Sequence, residues 1–307
     1  MKLIRGVARA PKFSDGCVVT LGNYDGVHQG HQAVLASLRQ QAESMGLPLV
    51  VVCFEPTPRE FFKLETAPAR LTNLREKAQL LAALGVDYML VQRFDAAFAS
   101  LSAEGFVEQF LRQGLHAKAV VVGDDFRFGA ARQGDVELLR QLSASKGFEV
   151  LDTTTVEADQ QRISSTMVRD CLKKGDLAYA ARLLGRPYSI EGRVMHGDKL
   201  GRQLGFPTAN IRLNRVKAPV AGVFTVKVYG VEDTPLNGVA NVGTRPAVNG
   251  VEERLEVYLL DWQGYLYGQR LRVEFVDYIR PEKRFDGLEA LTAAIAADVA
   301  KARQLLA

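Results

Sequence analysis

Short apolar runs alternate with amphipathic stretches through the first part of the chain. Val18–Leu21, Leu49–Phe54, Tyr88–Val91, Ala119–Val122 and Glu149–Leu151 are rich in β-branched residues and bounded by Gly, Pro or charge, which predicts buried strands. Between them, His31–Met45, Leu74–Leu84, Ala103–Leu115 and Asp135–Lys146 carry apolar residues at helical spacing. This alternation predicts a Rossmann-like α/β domain, a parallel sheet with helices on both faces. Two further helices are expected at Thr166–Lys174 and Leu177–Leu184.

The pattern changes after Gly185-Arg186-Pro187. From Tyr188 to about Ile279, short alternating runs separated by Gly and Pro turns replace the helical spacing: Phe224–Tyr229, Leu236–Val242, Arg254–Leu260 and Arg270–Tyr278. That pattern predicts an all-β domain, a small antiparallel barrel. One helix follows from Gly287 to Leu306, with Leu288, Leu291, Ile295, Val299 and Leu305 near one face. The expected domains are therefore residues 1–184 and 185–307.

Composition narrows the class. Over 307 residues, 47% are hydrophobic and 24% charged, enough to bury two cores without staples. Net charge is +4, with 22 basic against 21 acidic residues through Leu184 and 17 against 14 after it. Neither part has the one-sided basic excess of a nucleic-acid binder, whereas a mild positive balance suits small anionic ligands such as nucleotides. Cys17, Cys53 and Cys171 are far apart and form no CxxC pair, which predicts free thiols in a reducing compartment. Met1–Pro11 lacks the apolar core of a secretory signal, and no apolar run reaches membrane-spanning length. A cytoplasmic protein without nucleic-acid or membrane partners is expected, as a monomer or weak homo-oligomer.

The strongest local signal is Leu21-Gly22-Asn23-Tyr24-Asp25-Gly26-Val27-His28-Gln29-Gly30-His31, between a predicted strand and a predicted helix. Its glycines allow close backbone approach to a ligand. The helix start offers unpaired N–H groups and a positive dipole end. His28 and His31 add two donors at the same place. Such a cradle suits nucleotidyl transfer, in which the acceptor phosphate is already ionised and the protein aligns attack and neutralises charge. Two surface histidines in a turn, or a zinc site, are the competing readings, and no third ligand at suitable spacing supports zinc.

These residues resemble the HxGH nucleotidyltransferase superfamily, and the fuller string resembles the bifunctional riboflavin kinase/FAD synthetase family. The resemblance implies that His28 and His31 act catalytically on ATP phosphates while Gly22 and Asn23 line the nucleotide site. Ile163-Ser164-Ser165-Thr166-Met167-Val168-Arg169 resembles the family's second signature and implies ATP contacts from Ser164, Ser165, Thr166 and Arg169. Cys53–Arg59 carries Thr57 where relatives often have His, so no third histidine role is transferred. Gly123–Gly129 follows a strand, and its Asp124, Asp125 and Arg127 are candidates for FMN or ribose contact, with Asp125 replacing a commoner Asn.

No Walker A or protein-kinase signature occurs in the chain. Instead, Gly197-Asp198-Lys199-Leu200-Gly201-Arg202 leads into Gly205-Phe206-Pro207-Thr208-Ala209-Asn210, which combines a glycine-rich loop with cations and two hard oxygen ligands. The string resembles the riboflavin kinase signature. It implies ATP binding by Gly197, Lys199, Gly201, Thr208 and Asn210, with Thr208 and Asn210 on Mg²⁺. In Leu255-Glu256-Val257-Tyr258-Leu259, alternation turns Glu256 and Tyr258 away from the apolar face. Glu256 is either an exposed strand carboxylate or, by resemblance, the residue that accepts the riboflavin hydroxyl proton. Arg280 is a candidate flavin contact. The resemblance covers almost the whole chain and implies two ATP- and Mg²⁺-dependent steps: riboflavin to FMN, then FMN to FAD. A chain with the kinase alone, or a flavin-binding regulator, are the other readings.

Overall fold

In a computed structural model describing residues 1–151, 157–158, 161–197, 200–247 and 250–306, the expected sheet and barrel both form. Two compact units result. One comprises Met1–Pro68 with Lys77–Ile163, the other Ala69–Glu76 with Ser164–Ala307.

The first unit is built on β1 (Lys2–Arg5), β2 (Cys17–Leu21), β3 (Leu49–Glu55), β4 (Tyr88–Arg93), β5 (Ala117–Val121) and β6 (Glu149–Leu151). They form one sheet in the order β1-β4-β3-β2-β5-β6, every pair parallel. All five residues of β2 are buried, as are the first six of β3, because helices cover both faces. The order reverses between β2 and β5, which creates a crevice at their carboxyl ends. Both loops singled out from the sequence, Gly22–His28 and Gly123–Gly129, leave from those ends.

Differences from the expected elements have local causes. Strand β1 is an edge strand with Ile4 alone buried, so it carries no apolar run to read. The helix expected over Ala103–Leu115 is one α-helical turn, Ala103–Gly105, continuing as a π-helix over Phe106–Gly114. Its buried Phe106, Val107, Phe110 and Leu111 pack in a cluster that includes Phe98 and Phe128. A two-stranded ribbon, β7 (Glu157–Ala158) with β8 (Gln161–Arg162), was not anticipated.

The second unit contains β9 (Ser189–Met195), β10 (Thr208–Ile211), β11 (Gly222–Tyr229), β12 (Leu236–Ala247), β13 (Gly250–Leu259) and β14 (Arg270–Arg280). They close into an antiparallel barrel in the order β10-β13-β12-β11-β14-β9. Buried Phe224, Val226, Ala240, Leu255, Val257 and Phe275 belong to the strand faces of its core. Strands β9 and β10 escape a reading by pattern because one mixes Glu191, Gly192 and Arg193 into its run and the other has four residues.

The terminal helix, Leu288–Leu306, packs differently from its expected apolar stripe. Leu288 is 57% and Leu305 38% exposed, whereas Asp298 and Ala302 are buried. Ala302 and Val299 rest on Val223, Val239 and Leu260. Asp298 is drawn inward by Arg280, which donates to it through Nε at 2.8 Å and Nη2 at 2.6 Å.

The segment Ala69–Glu76 joins this unit through a buried hub. Arg215, its side chain fully buried, donates to both Glu76 oxygens at 2.7 and 2.6 Å and to the Arg70 and Leu71 carbonyls. Glu76 also accepts from the Asn73 and Glu191 N–H groups, so its charge is fully compensated.

Candidate active sites

In the first unit, β2 ends in a turn whose Tyr24 and Val27 adopt positive φ of 45° and 43°, beside Gly26 at 82°. His28 then caps the helix Gln29–Met45. Its Nδ1 accepts the His31 N–H at 3.4 Å, which leaves Nε2 to carry the proton of the neutral ring. The His28 and His31 rings stack with centroids 3.6 Å apart and planes 20° from parallel. Tyr24 lies against His31 at 4.8 Å, and its hydroxyl meets Thr20 Oγ1 at 2.6 Å, which anchors the ring.

Burial, His28 and the charges of Lys77 and Arg162 hold His31 well below the ordinary histidine range, so it is neutral at pH 7. Its Nδ1 is buried with no hydrogen-bond partner among the described residues. Gly30 is closely surrounded, since an added Cβ would sit 3.2 Å from His28 Nδ1 and 3.4 Å from the Ile163 carbonyl.

The neighbouring loop closes a tight turn, with the Phe126 N–H donating to Gly123 O at 2.9 Å. Asp124, Asp125 and Arg127 are exposed on it. A Cβ at Gly123 would lie 3.1 Å from Asp125 Oδ1 and 3.4 Å from Arg162 Nη2, so the Asp125 carboxylate shares that spot with a cation. Thr57 takes up a capping role: its Oγ1 accepts the Glu60 N–H, and the Glu60 carboxylate accepts the Thr57 N–H at 2.9 Å. Such a cap contributes about 1 kcal/mol. Beyond it, Phe61 and Phe62 are exposed and edge-on to each other at 5.1 Å, a surface that the sequence reading did not single out.

Ser164 caps the helix Ser165–Lys174 by accepting the Met167 N–H at 3.3 Å. Arg169 Nε donates to the Ala69 carbonyl at 2.6 Å. Ser164, Ser165, Thr166 and Arg169 thus belong to the second unit.

Strand register assembles the other site. Asn210 on β10 lies directly opposite Glu256 on β13, and Asn241 on β12 lies opposite Glu256 from the other side. Cross-strand neighbours of this kind have Cβ atoms about 4.5–5.5 Å apart. Thr208 pairs with Tyr258 one step along the same face. Leu255, Val257 and Leu259 are buried on the opposite face, as alternation predicts. Asn241 escaped the sequence reading, although an outward amide between buried Ala240 and Val242 was its signal.

The glycine-rich loop folds closely onto this row. An added Cβ at Gly197 would collide with the Asn210 amide, and one at Gly201 with the Phe206 carbonyl. Phe206 stands edge-on to Tyr258 at 5.5 Å. Lys199 lies outside the described residues. Gly197→Ala is therefore expected to displace Asn210 and lower the rate of the barrel reaction about tenfold or more, with unchanged melting temperature. Steady-state kinetics beside a thermal melt checks this, and an unaffected rate would refute the close fit. Arg280 has its guanidinium on Asp298, with the Phe285 ring centroid 5.5 Å from its central carbon.

A parallel sheet with a histidine-bearing strand-to-helix turn, followed by a closed barrel with a glycine-rich loop, puts the chain in the class of two-domain transferases. Comparison with known proteins sharpens the class. The family model for FAD synthetase matches residues 10–167, and that for riboflavin kinase matches residues 184–306. The chain belongs to the bifunctional riboflavin kinase/FMN adenylyltransferase family. The protein of that name from Escherichia coli K12 is 50% identical across 99% of this chain and 97% of its own. The Haemophilus influenzae relative is 48% identical across 99% of this chain and 98% of its own. A crystal structure of a macrolide-efflux protein from Streptococcus pneumoniae is 30% identical, with a TM-score of 0.80 and 99% of each chain covered. Among the described residues, no helix is long and apolar enough to cross a membrane.

Proposed function

We propose that the barrel phosphorylates riboflavin with ATP to give FMN, and that the sheet unit transfers AMP from a second ATP to FMN, giving FAD and pyrophosphate. The work divides between residues 185–307 for the first step and 1–184 for the second. The observation that carries the reading is the register that sets Glu256 between Asn210 and Asn241.

In the first step, Glu256 accepts the proton of the riboflavin 5′-hydroxyl as that oxygen bonds to the γ-phosphorus and the bond to ADP breaks. Thr208 and Asn210 present a hydroxyl and an amide on one strand face, opposite a carboxylate, a donor set that fits Mg²⁺ shared with ATP phosphates. When bound, the ion neutralises phosphate charge. Gly197, Lys199 and Gly201 supply the ATP loop. Arg280 supports the flavin pocket by holding the terminal helix through Asp298.

In the second step, an FMN phosphate oxygen attacks the α-phosphorus and the bond to pyrophosphate breaks, so no protein nucleophile takes part. His28, His31 and the helix start donate hydrogen bonds to the transferring phosphate. Gly22 and Asn23 border the nucleotide. Ser164, Ser165, Thr166 and Arg169 contact ATP by family resemblance. Asp124, Asp125 and Arg127 face ribose or FMN from the switch-point loop, and Phe61 with Phe62 offers a surface for the flavin ring.

Purified protein given riboflavin, ATP and Mg²⁺ is expected to accumulate FMN and then FAD on liquid chromatography. Protein given FMN and ATP should make FAD directly. Accumulation of FMN with no FAD would overturn the second assignment, and untouched riboflavin the first.

A further inference from the structure

The face of β12 and β13 that carries Glu256 is flanked at both ends. Val239 pairs with Tyr258, Asn241 with Glu256 and Gly243 with Arg254, so alternation sets these three pairs in succession on that face. At one end, Val299 and Ala302 of the terminal helix pack with Val239, Leu260 and Tyr258. At the other end stands Glu282. An added Cβ on Gly243 would collide with Glu282 Oε1 and lie 2.5 Å from its carboxyl carbon, so the carboxylate fills the side-chain space that the glycine leaves.

The turn that carries Glu282 is held from within. Arg280 donates through Nη1 to the Pro281 carbonyl at 3.0 Å and through Nε and Nη2 to Asp298, and the Phe285 ring lies beside it. Glu282 is itself exposed, which leaves its oxygens accessible to a ligand on the face. Strand order gives that ligand a chemistry. Thr208 and Asn210 lie on β10, on one side of Glu256, and Gly243 with Glu282 lies on β12, on the other. A carboxylate accepts hydrogen bonds and repels phosphate, so the Glu282 flank suits a polyhydroxyl chain rather than the nucleotide. Two positions along one strand face are about 7 Å apart. A ribityl chain with its terminal hydroxyl at Glu256 therefore brings its inner hydroxyls within reach of Glu282. On the reading of the barrel given above, we propose that Glu282 is a substrate-specificity residue of the kinase site, accepting hydrogen bonds from the inner ribityl hydroxyls of riboflavin.

Glu282→Ala is expected to lower kcat/KM for riboflavin about 10- to 100-fold, the loss that goes with a hydrogen bond to a charged group. The loss should fall mainly on KM for riboflavin, with KM for ATP unchanged. Glu282→Gln, which keeps one acceptor oxygen, should lose less. Gly243 has no positive φ, so Gly243→Ala fits the backbone while displacing the carboxylate, and it should reproduce the loss. With 5-hydroxypentyl flavin, which keeps the terminal hydroxyl and lacks the inner ones, wild type and Glu282→Ala should differ by less than about threefold. Melting temperature and FMN adenylylation serve as fold controls and should be unchanged.

Riboflavin phosphorylation by Glu282→Ala within about threefold of wild type would overturn the proposal. Equal losses with riboflavin and with 5-hydroxypentyl flavin would also overturn it and mark a general effect on the barrel. If the wild type leaves riboflavin unphosphorylated, the reading of the barrel fails and the proposal with it. That outcome is distinct from a wild type and a Glu282→Ala variant that make FMN equally well, which removes the carboxylate alone.

Discussion

Glu256→Gln is expected to lower riboflavin phosphorylation by about 100- to 10,000-fold, the range typical for loss of a positioned general base. The amide keeps the size and a hydrogen bond to the hydroxyl but cannot take its proton. Strand β13 should tolerate the change, because Glu256 faces away from buried Leu255 and Val257 and glutamine keeps its size. FMN adenylylation by the same preparation should be unchanged, as should the melting temperature. The loss should fall on kcat with little change in KM for ATP, since Thr208 and the loop still bind the nucleotide. Single-turnover measurement of FMN formation checks it. A variant retaining more than a third of the wild-type rate would remove Glu256 from the chemistry and leave it a half-buried strand carboxylate.

The mirror result is expected at the other site. His31→Ala should lower FMN adenylylation by about 100- to 1,000-fold, the loss seen when a preorganised oxyanion donor is removed, while riboflavin phosphorylation continues and FMN accumulates. His28 needs a different substitution because it also caps the helix Gln29–Met45. Alanine there would mix a catalytic loss with about 1 kcal/mol of lost capping. His28→Asn keeps an acceptor for the His31 N–H and removes the imidazole, so its expected loss of FAD formation is free of the stability effect. Product chromatography beside a thermal melt separates the two. FAD formation at near wild-type rate in both variants would remove the histidines from the chemistry and leave them a packing role.

Much of this was legible along the chain because it depends on local spacing. Val18–Leu21 and Leu49–Phe54 read as buried strands since a parallel sheet covered on both faces needs unbroken apolar runs. The turn that carries the two histidines could be read because its glycines, histidines and helix start are consecutive. Glu256 was separable from the core by alternation alone. Elements without such runs were missed: edge strand β1, four-residue β10, and the π-helix over Phe106–Gly114.

Thr57 shows a departure from the family pattern that structure explains. The residue closes a capping box with Glu60 in a position where relatives often carry His. Asp125 shares the space over Gly123 with Arg162, a cation from a distant part of the sequence. The expected stripe on the terminal helix failed at Leu288 and Leu305 because a charged pair, Arg280 with Asp298, dictated which side turned inward.

The sequence by itself determined the two fold classes and their order, and it singled out the glycine-bearing loops, all properties of neighbours within a few positions. Tertiary structure alone decided which distant residues meet. Barrel closure and register placed Asn210 and Asn241 on either side of Glu256. Arg215 drew Glu76 into the second unit. Hydrophobic periodicity determines which face of an element is buried, whereas the partner across that face is selected by hydrogen-bond register and by the compensation of buried charge.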